Sequence, residues 1–190
     1  AFSLAFSALA GWAGFRGWSA AIPPVQAKPF GKLPLLFTPN RGQSPEWVQY
    51  EIFGADTQVA FGSQEVQFTT GAGGDGARSL TLRFMGANPD ARAVGAERQA
   101  AVINELSGPD REAWVVGRPT FAAVRYKSLY PGISAVYEGR EGQLKSTFTV
   151  APGADPQQIR WSYPDADRVA LDAQNGGLVA QLADGSQVIE

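Results

Sequence analysis

The stretch ISAVYEGREGQLKSTFTV, residues 133–150, decides the fold class of this chain. Apolar and polar residues alternate on both sides of the short turn REG, and alternation with a period of two is typical of a half-buried β-strand. The two runs place one set of side chains on a common face: Ile133, Ala135, Tyr137, then Leu144, Ser146, Phe148 and Val150. The sequence therefore predicts a long β-hairpin across these residues.

The stretch APGADPQQI, residues 151–159, follows the hairpin and predicts a corner between strands. Pro152 fixes its own φ and Gly153 accepts a positive φ, a combination that suits a type II turn. Asp155 is expected to cap a single helical turn with Pro156 at the first position, where the missing N–H costs little. A cation-binding or acidic role for Asp155 is the alternative, but one carboxylate without convergent partners seldom makes a site.

Alternating runs also occur before the hairpin. TQVAFG and EVQFTT, joined through GSQ, predict another hairpin. SLTLRFMG alternates its side chains, with Leu80, Leu82 and Phe84 expected inward and Thr81, Arg83 and Met85 outward. The stretch at residues 87–106 is interpreted as turn, strand, turn and strand, with Gly95 as an interruption, and GAGGDGA at residues 71–77 as a flexible loop.

The end of the chain predicts a meander. QIRWSY, RVALDA and GLVAQLADGSQVIE are short runs separated by NGG and DG, which supply positive φ at low cost. About a dozen short strands at this spacing indicate an all-β protein, an antiparallel β-sandwich over residues 35–190. Because the last run breaks off in apparent mid-strand, we expect further domains after it.

The first residues have a different character. AFSLAFSALAGWAGF, residues 1–15, is almost wholly apolar, and small residues follow at 19–21 and 25–27. An apolar run of this length followed by small residues is typical of a signal-peptide core, whereas a membrane span needs about 20 apolar residues. We therefore expect a leader at residues 1–27, a linker at residues 28–34 and a secreted or cell-surface bacterial protein. A buried N-terminal helix is the alternative.

Two missing residue types limit the chemistry. The chain has no cysteine and no histidine, so disulfides, Cys/His metal sites and His-based nucleophilic triads are excluded. The net charge is −2, with basic residues scattered singly, which argues against a nucleic-acid partner. No cofactor and no metal ion are predicted.

The remaining candidates for chemistry are carboxylates and tryptophans. Glu51, Glu65, Glu138 and Glu141 are interpreted as residues of solvated strand faces rather than as a glycosidase pair. The candidates for a calcium ligand set, Asp165, Asp167, Asp172 and Asn175, follow no complete spacing rule and are interpreted as turn residues. Trp47, Trp114 and Trp161 could bind a surface glycan or a protein, with Trp114 expected to be the most exposed, but core aromatics are the simpler interpretation.

Two motifs carry a family resemblance. FTPNRGQ, residues 37–43, resembles the F-x-x-N-x-G-Q opening of a bacterial secreted domain of unknown function that precedes SBBP-type β-propeller repeats. YKSLYPGI and the later FTVAPGADPQQI resemble its second signature. The motif residues are Asn40, Gly42, Gln43, Tyr130, Pro131, Gly132, Pro152, Gly153, Asp155 and Pro156. The chain departs from the family at Ser134, where Asp is usual, and at residues 144–148, where acidic residues are usual.

The resemblance implies a β-rich extracellular domain without catalytic residues to carry over. We therefore expect a non-catalytic module that serves structural, docking or adhesion roles, with adjacent β-propeller repeats of the same chain as partner. A carbohydrate-binding module that uses surface Trp and Tyr is the alternative, and a carboxylate-based hydrolase is a third hypothesis.

Overall fold

The computed structural model describes residues 34–54, 57–71, 76–106, 114–140, 143–171, 178–183, 185 and 187–189. These residues form thirteen strands and one 3₁₀ turn. The first six strands are β1 (Thr38–Pro39), β2 (Tyr50–Phe53), β3 (Thr57–Phe61), β4 (Glu65–Thr70), β5 (Arg78–Phe84) and β6 (Ala93–Glu105). The others are β7 (Val115–Tyr130), β8 (Ile133–Arg140), β9 (Gln143–Val150), β10 (Trp161–Ser162), β11 (Ala166–Leu171), β12 (Leu178–Leu182) and β13 (Gln187–Ile189).

All strand pairs between these elements are antiparallel, and they form three sheets. The six-stranded sheet has the order β1-β2-β3-β4-β5-β10, and the four-stranded sheet has the order β6-β7-β8-β9. The third sheet is the meander β11-β12-β13. The prediction of an antiparallel all-β fold of about a dozen strands is confirmed.

The main core lies between the six-stranded and four-stranded sheets and consists largely of aromatic and branched side chains. Phe61 of β3 packs edge-on against Tyr137 of β8 with ring centroids 5.3 Å apart. Phe84 of β5 meets Tyr126 of β7 in the same way at 5.8 Å. Such rings bury large areas and prefer edge-to-face contact, so these pairs hold the two sheets of the sandwich together.

Strand β1 joins the two sheets at one side of the sandwich. Its residues pair with β2, and the preceding Phe37 forms two backbone hydrogen bonds of 2.9 Å with Phe121 of β7. Phe37 is fully buried, and Leu35 packs against Gly139 of β8 so closely that an added Cβ at Gly139 would lie 2.6 Å from the Leu35 Cβ. The chain at residues 34–39 therefore completes the core as well as the sheet.

The hairpin that opened the sequence analysis is β8 and β9, which pair without a register shift from Ile133↔Val150 to Arg140↔Gln143. Leu144, Phe148 and Val150 pack on the core, as the alternation predicted. The hairpin of β3 and β4 around GSQ is also confirmed.

Three local predictions were wrong. Residues 93–105 form the single strand β6, because Gly95 does not interrupt it: a Cβ there would lie 2.7 Å from the Phe121 ring, so the close packing requires glycine. Trp161 and Ser162 pair with β5 in the six-stranded sheet, and only the strands after them form the meander. Thr81, expected on the outward face, is buried, and its backbone N–H donates to Asp165 at 2.9 Å.

Several predictions concern residues outside the described ranges. These are the leader at residues 1–27, the linker at 28–33 and the middle of the glycine loop at 72–75. Glu141, Asp172, Asn175 and the NGG turn also lie outside the described residues.

Candidate functional site: a buried ion pair under the 40–48 loop

Glu51 lies in the middle of β2 and is fully buried, which contradicts its assignment to a solvated strand face. Its neighbour Ile52 belongs to the core between the sheets. Side chains alternate along a strand, so Glu51 points to the opposite, outward face of the six-stranded sheet. The face was predicted correctly, but this part of it is covered by other residues.

The partner of Glu51 is Arg118 of β7, which comes from the other sheet. Arg118 Nη1 lies 2.8 Å from Glu51 Oε1, and the two side chains are 1% and 0% exposed. The ring of Phe53 covers the guanidinium at 5.6 Å, a favourable cation–π distance. Glu105 of β6 stands on the other side, with Oε2 3.4 Å from Arg118 Nη2. The ion pair therefore ties the two sheets together outside the apolar core.

A loop at residues 40–48 forms the cover of this ion pair, and Asn40 organises it. The Asn40 side-chain amide donates to the backbone carbonyls of Ser44, Pro45 and Val48 at 3.0, 3.0 and 2.9 Å. Its Oδ1 accepts the N–H groups of Gly42 and Ser44. Gly42 has a φ of 104°, which only glycine adopts readily. Asn40 and Gly42 thus shape the loop at residues 40–48.

The same loop delivers two donors to the buried carboxylate. Gln43 Nε2 donates to Glu51 Oε1, and Ser44 Oγ donates to Glu51 Oε2 at 2.7 Å. Gln58 of β3 is a second donor to Oε2, at 3.3 Å. We call Gln43, Ser44, Glu51, Gln58, Glu105 and Arg118 the polar cluster. The F-x-x-N-x-G-Q motif therefore builds a lid whose glutamine binds a residue eight positions later.

The chemistry open to this cluster follows from its geometry. Both oxygens of Glu51 accept hydrogen bonds from neighbouring residues of the protein, and the fully buried carboxylate faces a guanidinium rather than solvent. A general base or nucleophile must reach a substrate proton or carbon, which this environment opposes. A buried ion pair that is also hydrogen-bonded instead has a structural role. It holds β2 and β7 in one arrangement, because losing either partner leaves the other charge uncompensated.

The second signature forms a different kind of junction. The turn at Pro131 and Gly132 connects β7 and β8, with Gly132 at a φ of 72°. The Gly132 carbonyl accepts the N–H of Ala151 at 2.9 Å, and a Cβ on Gly132 would lie 2.7 Å from the Ala154 Cβ. The two halves of the second signature therefore lie in contact at one end of the sandwich.

The corner at residues 151–159 has the predicted form. The N–H of Ala154 donates to the carbonyl of Ala151 at 3.0 Å, and Gly153 between them has a φ of 84°. Asp155 caps the 3₁₀ turn Pro156–Gln158 by accepting the N–H of Gln157 at 2.9 Å. Asp155 is used as a cap, as predicted.

Two buried tyrosines of β7 donate hydrogen bonds to backbone carbonyls of other segments. Tyr130 donates its hydroxyl to the Arg160 carbonyl at 2.9 Å, and Tyr126 donates to the Gly62 carbonyl at 2.8 Å. Burial raises the pKa of Tyr130, although the contact with Arg160 lowers it in part. Burial raises the pKa of Tyr126 well above 10.0, and the neighbouring Tyr137 adds to the shift. Both hydroxyls therefore stay protonated donors in the folded protein at neutral pH.

The three tryptophans are not brought together. Trp47 precedes β2 and is 36% exposed, with its ring against Gly62. Trp161 lies on β10, four strands away across the sheet, and stacks on Phe148 at 6.2 Å beside the core. Trp114 precedes β7 of the other sheet and is half-buried, so Trp47 rather than Trp114 is the most exposed of the three.

The other carboxylate candidates also lie apart from one another. Glu65 forms a 3.0 Å pair with the exposed Arg83, and Glu138 lies opposite Lys145 in the β8–β9 hairpin. Among the described residues, no group of three or more acidic side chains could hold a metal ion. Glu51 and Glu105 both face Arg118.

The polar cluster was missed by sequence reasoning for a specific reason. Alternation tells which face a strand residue occupies but not whether another part of the chain covers that face. The usable signal was Arg118 itself, a lone charge in the run VVGRPTF, residues 115–121. Charged residues are almost never fully buried unless paired, so an arginine in such a run indicates a buried carboxylate partner.

The fold and the polar cluster define an antiparallel β-sandwich domain with an interior ion pair. In the part of the chain that the structure describes, no helix is long and apolar enough to cross a membrane. The sequence profile of the family described as "Domain of unknown function (DUF7948)" matches residues 37–190, and the chain belongs to this family. No curated protein and no solved structure matches the chain.

Proposed function

We propose that this chain is a non-catalytic, extracytoplasmic module of a larger bacterial secreted or cell-surface protein. It would serve a structural, docking or adhesion role beside neighbouring domains, with a β-propeller repeat region as the expected neighbour. The observation that carries the proposal is that the motif residues make their contacts inside the domain rather than toward a substrate. Asn40, Gln43, Gly132 and Asp155 all bind other parts of their own domain.

The composition supports the same proposal. Without cysteine or histidine, the carboxylates are the strongest candidates for catalysis, and Glu51 and Glu105 share one buried arginine. The apolar and small-residue pattern of residues 1–27 favours export. A module that links other domains needs a stable fold more than a reactive site. The buried ion pair and the closely packed turns stabilise such a fold.

The docking role is tested by joining the chain to a β-propeller repeat region, the neighbour that the proposal names. The thermal unfolding midpoint of the joined protein is compared with those of the two parts measured alone. Docking predicts one cooperative transition at a raised midpoint, since an interface that exists only in the folded state stabilises it. Two independent transitions at unchanged midpoints would contradict docking.

The non-catalytic assignment is tested with glycoside, peptide and ester substrates. We expect no turnover by the wild-type chain. Turnover that disappears in Glu51→Gln or Glu105→Gln, while circular dichroism shows that the variant remains folded, would overturn this part of the proposal. The Glu65→Gln change, at a half-buried carboxylate paired with the exposed Arg83, serves as the matched control for a lost carboxylate.

A further inference from the structure

Met85 carries the only sulfur atom of the chain, because the sequence has one methionine and no cysteine. The residue directly follows β5 and is 46% exposed. A thioether that a peroxide can reach is readily oxidised to the sulfoxide. Sulfur oxidation of this chain is therefore limited to a single atom on a residue that solvent reaches.

The backbone holds Met85 in a fixed place beside β10. Its N–H donates to the Arg160 carbonyl at 2.8 Å, and the preceding Phe84 pairs with Trp161. Gly86, which follows it, has a φ of 70° and turns the chain away from the sheet. The methionine side chain has three rotatable bonds, but the point from which it extends is set by both neighbouring strands.

Ser162 of β10 is the polar neighbour of the sulfur. Its hydroxyl donates a hydrogen bond to Met85 Sδ, with the oxygen 3.2 Å from the sulfur. A thioether sulfur is a weak acceptor, and oxidation adds oxygen at one of its lone pairs and makes the sulfur chiral. Because the hydroxyl engages one lone pair, the two faces of the sulfur are not equivalent in the folded protein.

We propose that Met85 is an oxidation site at which the folded domain reacts with peroxides, and that Ser162 selects which sulfoxide epimer forms. One oxygen of the peroxide forms a bond to Sδ, the O–O bond breaks, and the other oxygen leaves as water or an alcohol. The sulfur is oxidised by two electrons and the peroxide is reduced by two. Ser162 is a positioning residue, because its hydroxyl hinders attack at one lone pair and leaves the other open.

The position of Met85 lets the fold tolerate this reaction. A sulfoxide is polar, which disrupts an apolar core but not a residue that is half in solvent. The thermal unfolding midpoint is therefore expected to move by less than about 2 °C on oxidation, as for most surface substitutions. The reaction is also reversible, since two thiols of a reductase convert the sulfoxide back to the thioether and leave as a disulfide, with release of water.

The first test treats the full 190-residue chain with hydrogen peroxide and follows its intact mass. We expect a gain of one oxygen atom, at a rate within about tenfold of that of the chain unfolded in urea, because Met85 is exposed. Met85→Leu should gain none under the same treatment. An equal gain in Met85→Leu, or a slower reaction of the folded chain than this, would overturn the proposal.

The second test measures the epimer ratio with two reductases, each of which reduces one sulfoxide epimer. The wild-type chain should show at least about a twofold excess of one epimer, and Ser162→Ala a ratio near that of the unfolded chain. Ser79→Ala, which removes a β5 hydroxyl that bonds to Thr69, is the matched control and should keep the wild-type ratio. The same ratio in the wild-type chain and in Ser162→Ala would contradict the role of Ser162.

Discussion

The two signatures of this domain fasten the sandwich by different physical means. The first, at residues 37–43, uses side chains: Asn40 shapes a loop, and Gln43 reaches a buried carboxylate. The second, at residues 130–156, uses the backbone, with a glycine whose missing Cβ lets two turns touch. The first region should be destabilised by substitutions that remove a hydrogen-bonding or charged partner. The second should be destabilised by substitutions that add volume at its glycines.

The largest effect is expected from removing a charge of the polar cluster. Arg118→Ala leaves Glu51 buried without its counter-ion, and we expect a loss of about 3–5 kcal/mol in the free energy of unfolding by urea denaturation. Arg83→Ala, which breaks the exposed pair with Glu65, should cost less than about 1 kcal/mol. Similar losses in the two variants would show that the buried ion pair contributes no more to the free energy of unfolding than the exposed one.

The second signature is tested by adding a single methyl group at each of its glycines. Gly132→Ala must hold a positive φ and meets the Ala154 Cβ, so we expect a loss of about 2–4 kcal/mol. Gly153→Ala also has a positive φ but has open space, so its cost should be about 1–2 kcal/mol. Adding Ala154→Gly to the Gly132→Ala variant should recover part of the loss, and no recovery would contradict the contact as its cause.

One polar residue from each signature allows a direct comparison. Asn40→Ala removes the amide that holds the 40–48 loop, and we expect a loss of about 1–3 kcal/mol. Asp155→Ala removes one cap of a single 3₁₀ turn at the surface, for which about 1 kcal/mol is expected. Chemical denaturation measures both losses. If Asn40→Ala costs no more than Asp155→Ala, the loop at residues 40–48 contributes less to stability than its hydrogen bonds predict.

A small effect at neutral pH, comparable to that of Asp155→Ala, is expected at Tyr130. Tyr130→Phe loses one hydrogen bond to Arg160, at a cost of about 1 kcal/mol. Because burial raises the pKa of Tyr130 above 10.0, its contribution is fully present below pH 10 and is lost as the pH rises through the raised pKa. Between pH 8 and 11.5, the free energy of unfolding should decrease less steeply with pH in Tyr130→Phe than in the wild-type protein. Parallel curves would contradict a raised pKa at Tyr130.

The sequence predicted what depends on local pattern. Alternation placed the hairpin at residues 133–150, and turn chemistry placed the cap at Asp155, because both are decided within a few neighbouring residues. The burial of Glu51 depends on Arg118, which lies 67 positions later, and on a loop that folds back over the strand. Gly95 was misread because a glycine that admits a neighbouring ring has the same letter as one that ends a strand.

The place of β1 between the two sheets has a consequence for how the chain folds. Phe37 cannot make its backbone bonds until Phe121 has been synthesised and β7 has formed. Pairings of such long sequence separation close slowly, typically in milliseconds to seconds for domains of this kind. Until that step, the outer edge of β2 and the segment of β7 at Phe121 stay open to other chains, so slow closing of this short strand lengthens the time during which the nascent protein can aggregate.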